Sequence, residues 1–150
     1  MTLEQRLFET LQREDDFVLA LATTDKNGAP HVRFMRGVID EDWTIRCPTF
    51  LATGKVKQIQ DRDDVSLTCG DTDSRRPGSY FQITAKATIS QETRDREVAW
   101  TPRLEKWFRG SNDAQYAVIR MVPLCIRALP IGGGPAAEVW IARNDQPQGS

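Results

Sequence analysis

From Tyr80 to Ile89 the chain alternates without a break: Phe81, Ile83, Ala85, Ala87 and Ile89 are apolar, and Gln82, Thr84, Lys86 and Thr88 between them are polar. Successive side chains of a strand point to opposite faces, so this pattern demands one face on a core and one toward polar surroundings. That is the signature of an antiparallel sheet, because parallel strands are covered on both sides and read as continuous apolar runs. The remaining strand candidates must therefore join this one through hairpins or meanders.

They fall into place along the chain. Thr2 and Gln5 stand in capping-box spacing ahead of Leu3, Leu7 and Leu11, which predicts a helix over Thr2 to Arg13. An apolar run from Phe17 to Thr23, the turn Asp25-Lys26-Asn27-Gly28 and a return strand from His31 to Val38 predict a hairpin. On the return strand Val32 and Phe34 share one face, while His31, Arg33 and Met35 share the other. Beyond the turn Asp40-Glu41-Asp42, a third strand is expected from Trp43 to Cys47, then a short helix from Gly54 to Asp61 and a fourth strand with Val65, Leu67 and Cys69 inward. Asp71 to Gly78 reads as a polar loop. Thr93 to Gly110 reads as a helix broken near Pro102, Tyr116 to Val122 as a strand interrupted by Pro123, and Cys125 to Leu129 as its continuation. Glu138 to Ala142 adds an edge strand, and Arg143 to Ser150 a disordered tail. Six or seven strands with hairpin signals and few helices predict a mainly β protein, an antiparallel β-barrel with peripheral helices, as a single domain over residues 1–142.

Composition removes several functions. The 150 residues hold 20 Lys+Arg against 21 Asp+Glu, a net charge of −1, so no extended phosphate-neutralising surface for nucleic acid is expected. No apolar run is long enough to cross a bilayer, and Met1-Thr2-Leu3-Glu4-Gln5 lacks the features of a signal peptide, so a cytoplasmic protein is expected. Cys47, Cys69 and Cys125 are odd in number and far apart, which suits free thiols. One histidine, His31, and no Cys-x-x-Cys spacing leave no basis for a metal site or a hydrolytic triad.

Two constellations could carry chemistry. Thr53-Gly54-Lys55 opens the short helix, where free N–H groups and the positive dipole end favour an anion. Lys55 and Lys57 lie in its first turn with no acid nearby, an arrangement disfavoured by about 0.3–1 kcal/mol unless an anion binds; two solvated lysines are the alternative reading. Arg33 and Met35, with Tyr80 and Gln82 from the long strand, form a face that suits a flat charged ligand, a subunit interface, or simply solvent. Gly132-Gly133-Gly134-Pro135-Ala136-Ala137 satisfies G-x-G-x-x-A, but no β-α-β unit surrounds it, so a turn is expected. Trp43, Trp100, Trp107 and Trp140 suit core or interface anchors as well as ligand contacts.

The order of these pieces resembles the pyridoxamine 5′-phosphate oxidase-like flavoproteins, with closest similarity to their general-stress-protein branch. The resemblance runs over about residues 10–142 through Arg33-Phe34-Met35, Cys47-Pro48-Thr49, Thr53-Gly54-Lys55-Val56-Lys57-Gln58-Ile59, Val65-Ser66-Leu67-Thr68 and Tyr80 to Ala87, and ends weakly at Trp140. It implies a split-barrel homodimer with FMN at the subunit interface. It would put Lys55, Thr53 and the Gly54 backbone at the FMN phosphate with Arg33 reaching toward it. Phe34 and Met35 would line the flavin ring, with Pro48 and Thr49 close by, and Tyr80, Trp107 and Trp140 at the rim or from the partner. The implied activity is that of an FMN-dependent oxidoreductase acting on a small-molecule redox substrate or reductant, with no side chain nominated as acid or base. A non-catalytic flavin carrier or sensor, or a split barrel holding a deazaflavin or haem, is the alternative. The oxidases proper carry an Arg and a His near the C-terminus for the substrate phosphate. Here the segment after Trp140 offers Arg143 and no histidine, so pyridoxamine phosphate is not the expected substrate.

Overall fold

The alternating segment forms the spine of the computed structural model, which describes residues 2–12, 15–70, 79–130 and 138–142. The strands are β1 (Phe17–Thr24), β2 (Pro30–Ile39), β3 (Ile45–Phe50), β4 (Asp64–Gly70), β5 (Ser79–Ser90), β6 (Tyr116–Pro130) and β7 (Glu138–Ile141). Their order is β3-β2-β1-β4-β5-β6-β7, every pairing is antiparallel, and a further β3–β6 pairing closes the first six into a barrel. β6 is long enough to pair with β3 through Tyr116–Met121 and with β7 through Cys125–Ala128 while lying along β5. This is the split barrel expected from the resemblance.

Inward residues follow the predicted alternation. Phe81, Ile83, Ala85 and Ala87 of β5 are buried with Leu19, Leu21, Ile45, Leu67, Ile119, Met121 and Ile126 in one cluster. Helix α1 (Leu3–Leu11) adds Leu3, Leu7 and Leu11 to that core, and the Thr2–Gln5 capping box forms as the spacing predicts. A second, smaller cluster of Ala99, Phe108, Tyr116 and Val118 lies where α3 (Thr93–Ala99) and the 3₁₀ segment Pro102–Lys106 pack outside the barrel. α2 spans Gly54–Asp61, the predicted bounds, and buries Val56 and Ile59.

Several expectations need correction. α1 ends at Leu11, not Arg13. β3 begins at Ile45, because Trp43 sits in a turn at φ 62° with its N–H on Asp40 O, and the strand runs on through Pro48 to Phe50. Pro48 is tolerated there because β3 beyond Arg46 has a ladder partner on one side only. β6 is continuous past Pro123. The register shifts so that Pro123 opposes Ala85 and Cys125 opposes Thr84, leaving Leu124 as the extra residue of a bulge that spares the ladder the missing N–H. Leu124 O is used, accepting from Ala142 N at 2.8 Å. The expected loop at 71–78, the turn at Gly132–Ala137 and the tail from Arg143 lie outside the described residues.

One ion network carries no local sequence signal. Arg46 is fully buried, its Nε donating to Asp95 Oδ1 at 2.7 Å and its Nη1 to Asp40 Oδ2 at 3.4 Å, and Ser90 Oγ donates to Asp95 Oδ2 at 2.6 Å. Burial works against the Asp95 charge, but the hydrogen bonds from Ser90 and Arg46 outweigh it and hold the carboxyl below its usual range. The network fastens α3 onto β3 and β5, and so fixes the segment that leads to Trp107.

Candidate functional site

β2 and β3 touch only through Val38↔Arg46 and Ile39↔Ile45. From there β2 runs back along β1 alone, and Cys47–Phe50 of β3 pairs with β6 alone. The barrel is thus forked, and the facing edges of the two strands present backbone donors and acceptors with no ladder partner, groups that need another partner. Gly37 sets how tightly the fork closes: a Cβ there would lie 3.0 Å from both Cys47 Sγ and Leu19 Cδ2.

α2 starts beside this fork. Thr53 occupies the N-cap but makes no side-chain cap bond; its hydroxyl donates to Phe50 O at 3.1 Å, leaving the first-turn N–H groups without a side-chain acceptor. A Cβ at Gly54 would meet nothing within 4 Å, so the helix entrance is open. No acid lies in the first turn. Lys55 is half-buried, and burial first and the charge of Arg33 second depress its ammonium pKa, partly opposed by Cys47. Arg33 donates to Thr23 Oγ1 at 2.7 Å, Leu21 O at 3.3 Å and Gln58 Oε1 at 3.4 Å, all neutral acceptors, and burial lowers its pKa too. Among the described residues no carboxylate comes within ion-pair distance of either cation. Two cations that raise each other's cost at an uncapped helix entrance form a donor set that fits a phosphate dianion.

An apolar cleft of about 280 Å³ adjoins the fork, lined by Pro48, Thr49, Phe50 and Lys55 on one side and Leu104, Trp107 and Phe108 on the other. Trp107 is 61% exposed and meets Phe50 edge to face at 6.5 Å. Neither buried thiol is available as a nucleophile: burial pushes Cys69 up to about 12 and Cys47 further. Among the described residues no group of His, Cys, Asp or Glu could hold a metal ion, and no helix is long and apolar enough to cross a membrane.

Pro48, Thr49, Lys55 and Trp107 therefore line one cleft, Thr53 and Gly54 precede Lys55 at the helix entrance, and Arg33 approaches from β2. The expected common face of Arg33, Met35, Tyr80 and Gln82 does not form. Register aligns Arg33 with Leu21, Leu67 and Ile83, and Met35 with Leu19, Cys69 and Phe81, all inward. Phe34 aligns with Ala20, Thr68 and Gln82 on the outer face, where Phe34 and Tyr80 line a separate hollow with Val18. Met35 packs on the core, and Trp140 packs on it too and meets Trp43 edge to face at 6.4 Å. Asp16, Arg36 and Arg103 also line the cleft and escape sequence reasoning, since only the β1–β2 register and the 3₁₀ segment bring them together.

Comparison with known proteins follows the geometry. The sequence profile of a family described as pyridoxamine 5′-phosphate oxidase matches residues 5–129. General stress protein 26 of Bacillus subtilis (strain 168) is 28% identical over 130 residues, 87% of this chain and 90% of that protein. The crystal structure of General Stress Protein 26 from Bacillus anthracis superposes with a TM-score of 0.77 at 20% identity, over 95% of this chain and 100% of the other. A solved structure described as F420 Reductase shares the fold with a TM-score of 0.59 at 17% identity, over 79% of this chain and 93% of that one.

Proposed function

Because this chain belongs to the pyridoxamine 5′-phosphate oxidase family, we propose that it is an FMN-dependent oxidoreductase whose flavin phosphate is held at the entrance of α2. The observation that carries this reading is the Arg33–Lys55 pair, two cations with no acid among the described residues, beside uncapped helix N–H groups and an open apolar cleft. Lys55, Thr53 and the Gly54 backbone would take the phosphate with Arg33 behind them. Pro48, Thr49 and the unpaired edge of β2 near Phe34 and Met35 would receive the ring. Bound flavin supplies the electron or hydride transfer; the chain supplies anchoring, orientation and limited access of water. Its substrate is a small redox partner rather than pyridoxamine phosphate, and the similarity to General stress protein 26 supports a stress-related setting.

The functional unit is a cytoplasmic homodimer with the flavin at its interface. Val32 and Phe34 are 70% and 81% exposed on the outer face of β2, an apolar pair that a second copy would cover, with Tyr80 beside Phe34 available to the neighbouring site and Trp107 at the rim of its own. A deazaflavin in place of FMN is the second reading, favoured by the fold shared with F420 Reductase. Reconstitution with FMN, reduction of the bound flavin by NADH or NADPH under anaerobic conditions and reoxidation by an added acceptor test the proposal. Turnover supports an oxidoreductase, FMN binding without reduction supports a carrier or sensor, and failure to bind FMN refutes both.

A further inference from the structure

The chain as a whole is nearly neutral, yet the cleft beside the fork is lined by three cations, Lys55, Arg36 and Arg103, and by one carboxylate, Asp16. Asp16 is buried and shared. Arg36 Nη1 donates to its Oδ1 at 2.9 Å, whereas Arg103 Nε stands 3.8 Å from its Oδ2, an ion-pair separation too long for a hydrogen bond. One carboxylate serves two guanidiniums, hydrogen-bonded to Arg36 and only within ion-pair distance of Arg103, so the trio keeps one positive charge in excess. Among the described residues Arg103 has no hydrogen-bond acceptor, and its side chain is half exposed at the cleft. Arg103 belongs to the 3₁₀ segment that leads directly into Trp107, so a planar five-donor fork stands in the same cleft as the aromatic wall of Phe50 and Trp107.

A guanidinium fork matches a carboxylate through two parallel hydrogen bonds, and an aromatic wall matches a flat ring. We propose that this cleft selectively binds planar aromatic carboxylic acids, the acid group on Arg103 and the ring against Phe50 and Trp107. The inference rests on the flavin reading in leaving Lys55, Pro48 and Thr49 of the cleft to the flavin, so that the acid takes only the part lined by Arg103, Phe50 and Trp107; the charge selection at Arg103 stands on the cleft itself.

The test is calorimetric titration of the FMN-saturated chain with 2-naphthoate and with its neutral carboxamide, on the unmodified protein, Arg103→Gln and Arg103→Lys. The unmodified chain should bind the acid at least about tenfold more tightly than the amide, as one charged hydrogen-bonding group implies. Arg103→Gln should lose about tenfold for the acid and stay within about twofold for the amide and for FMN, and Arg103→Lys should recover part of the loss because it keeps the charge without the fork. Equal affinity for acid and amide in the unmodified chain, no binding of either, or an equal loss of both in Arg103→Gln overturns the inference. A chain that takes up no FMN but still prefers the acid refutes the flavin reading and supports this one.

Discussion

Replacing Lys55 by methionine separates the phosphate clamp from every structural role of that side chain. Methionine keeps an apolar stem of similar length against the cleft and removes only the ammonium. In the unliganded chain that ammonium is half-buried, depressed in pKa by burial and by Arg33, and faces no acid among the described residues, so its removal should leave stability unchanged or slightly raised. With a phosphate beside it the sign reverses. A pair of unit charges about 4 Å apart gains about 4 kcal/mol at an effective dielectric of about 20. Net of the water each loses, a charged hydrogen bond retains about 1.5–3 kcal/mol. Lys55→Met should therefore weaken FMN by about ten- to hundredfold while riboflavin, which lacks the phosphate, changes by less than about threefold. Quenching of flavin fluorescence on titration gives both constants, and urea unfolding of the unliganded variants gives stability. Equal losses for FMN and riboflavin, or a variant clearly less stable without ligand, would falsify the assignment.

The same ammonium predicts a pH profile: the phosphate favours the protonated form, so FMN affinity should fall as pH rises through the depressed Lys55 pKa, starting below the ordinary 10.5, with riboflavin measured as control. Asp95→Asn removes the buried partner of Arg46 and should cost about 3–5 kcal/mol by urea unfolding. Since the folded Asp95 carboxyl is held below its usual value, its contribution is complete above the unfolded pKa and disappears as pH falls through the folded one; the acid limb of the unmodified chain's stability should be steeper than that of Asp95→Asn. Gly37→Ala places a methyl 3.0 Å from Cys47 Sγ and Leu19 Cδ2, and should cost about 1–3 kcal/mol while loosening the fork, read as weaker binding of FMN and riboflavin alike. Phe34→Lys, at a position 81% exposed in the single chain, should shift the protein from dimer to monomer on gel filtration; an unmodified chain already at monomer size argues against the interface site.

Much of the barrel was legible because it is written locally. The alternation of β5, the capping box of α1, the bounds of α2 and the unopposed cations of its first turn each depend on residues within one or two turns or a single strand. Faces were harder. Arg33 and Met35 are expected on one polar face with Tyr80 and Gln82, yet register turns them inward and Val32 and Phe34 outward, since β1 aligns Arg33 with Leu21 and Met35 with Leu19. The apolar pair faces outward, where a partner chain rather than the barrel would account for it. Pro123 looks like a break because a local reading cannot anticipate the bulge at Leu124, which only the register against β5 defines. Arg46–Asp95 and the Asp16–Arg36–Arg103 group join residues far apart in sequence, so no spacing rule could assemble them before the topology was known.

The fork between β2 and β3, with the open entrance of α2 beside it, is the centre of the account. Its most direct test is a titration of the purified chain with FMN followed in the visible absorption of the flavin. Saturation at one FMN per chain, with a perturbed flavin spectrum and quenched fluorescence that inorganic phosphate weakens competitively, is the predicted result. A colourless protein that leaves both the spectrum and the fluorescence of added FMN unchanged would contradict it.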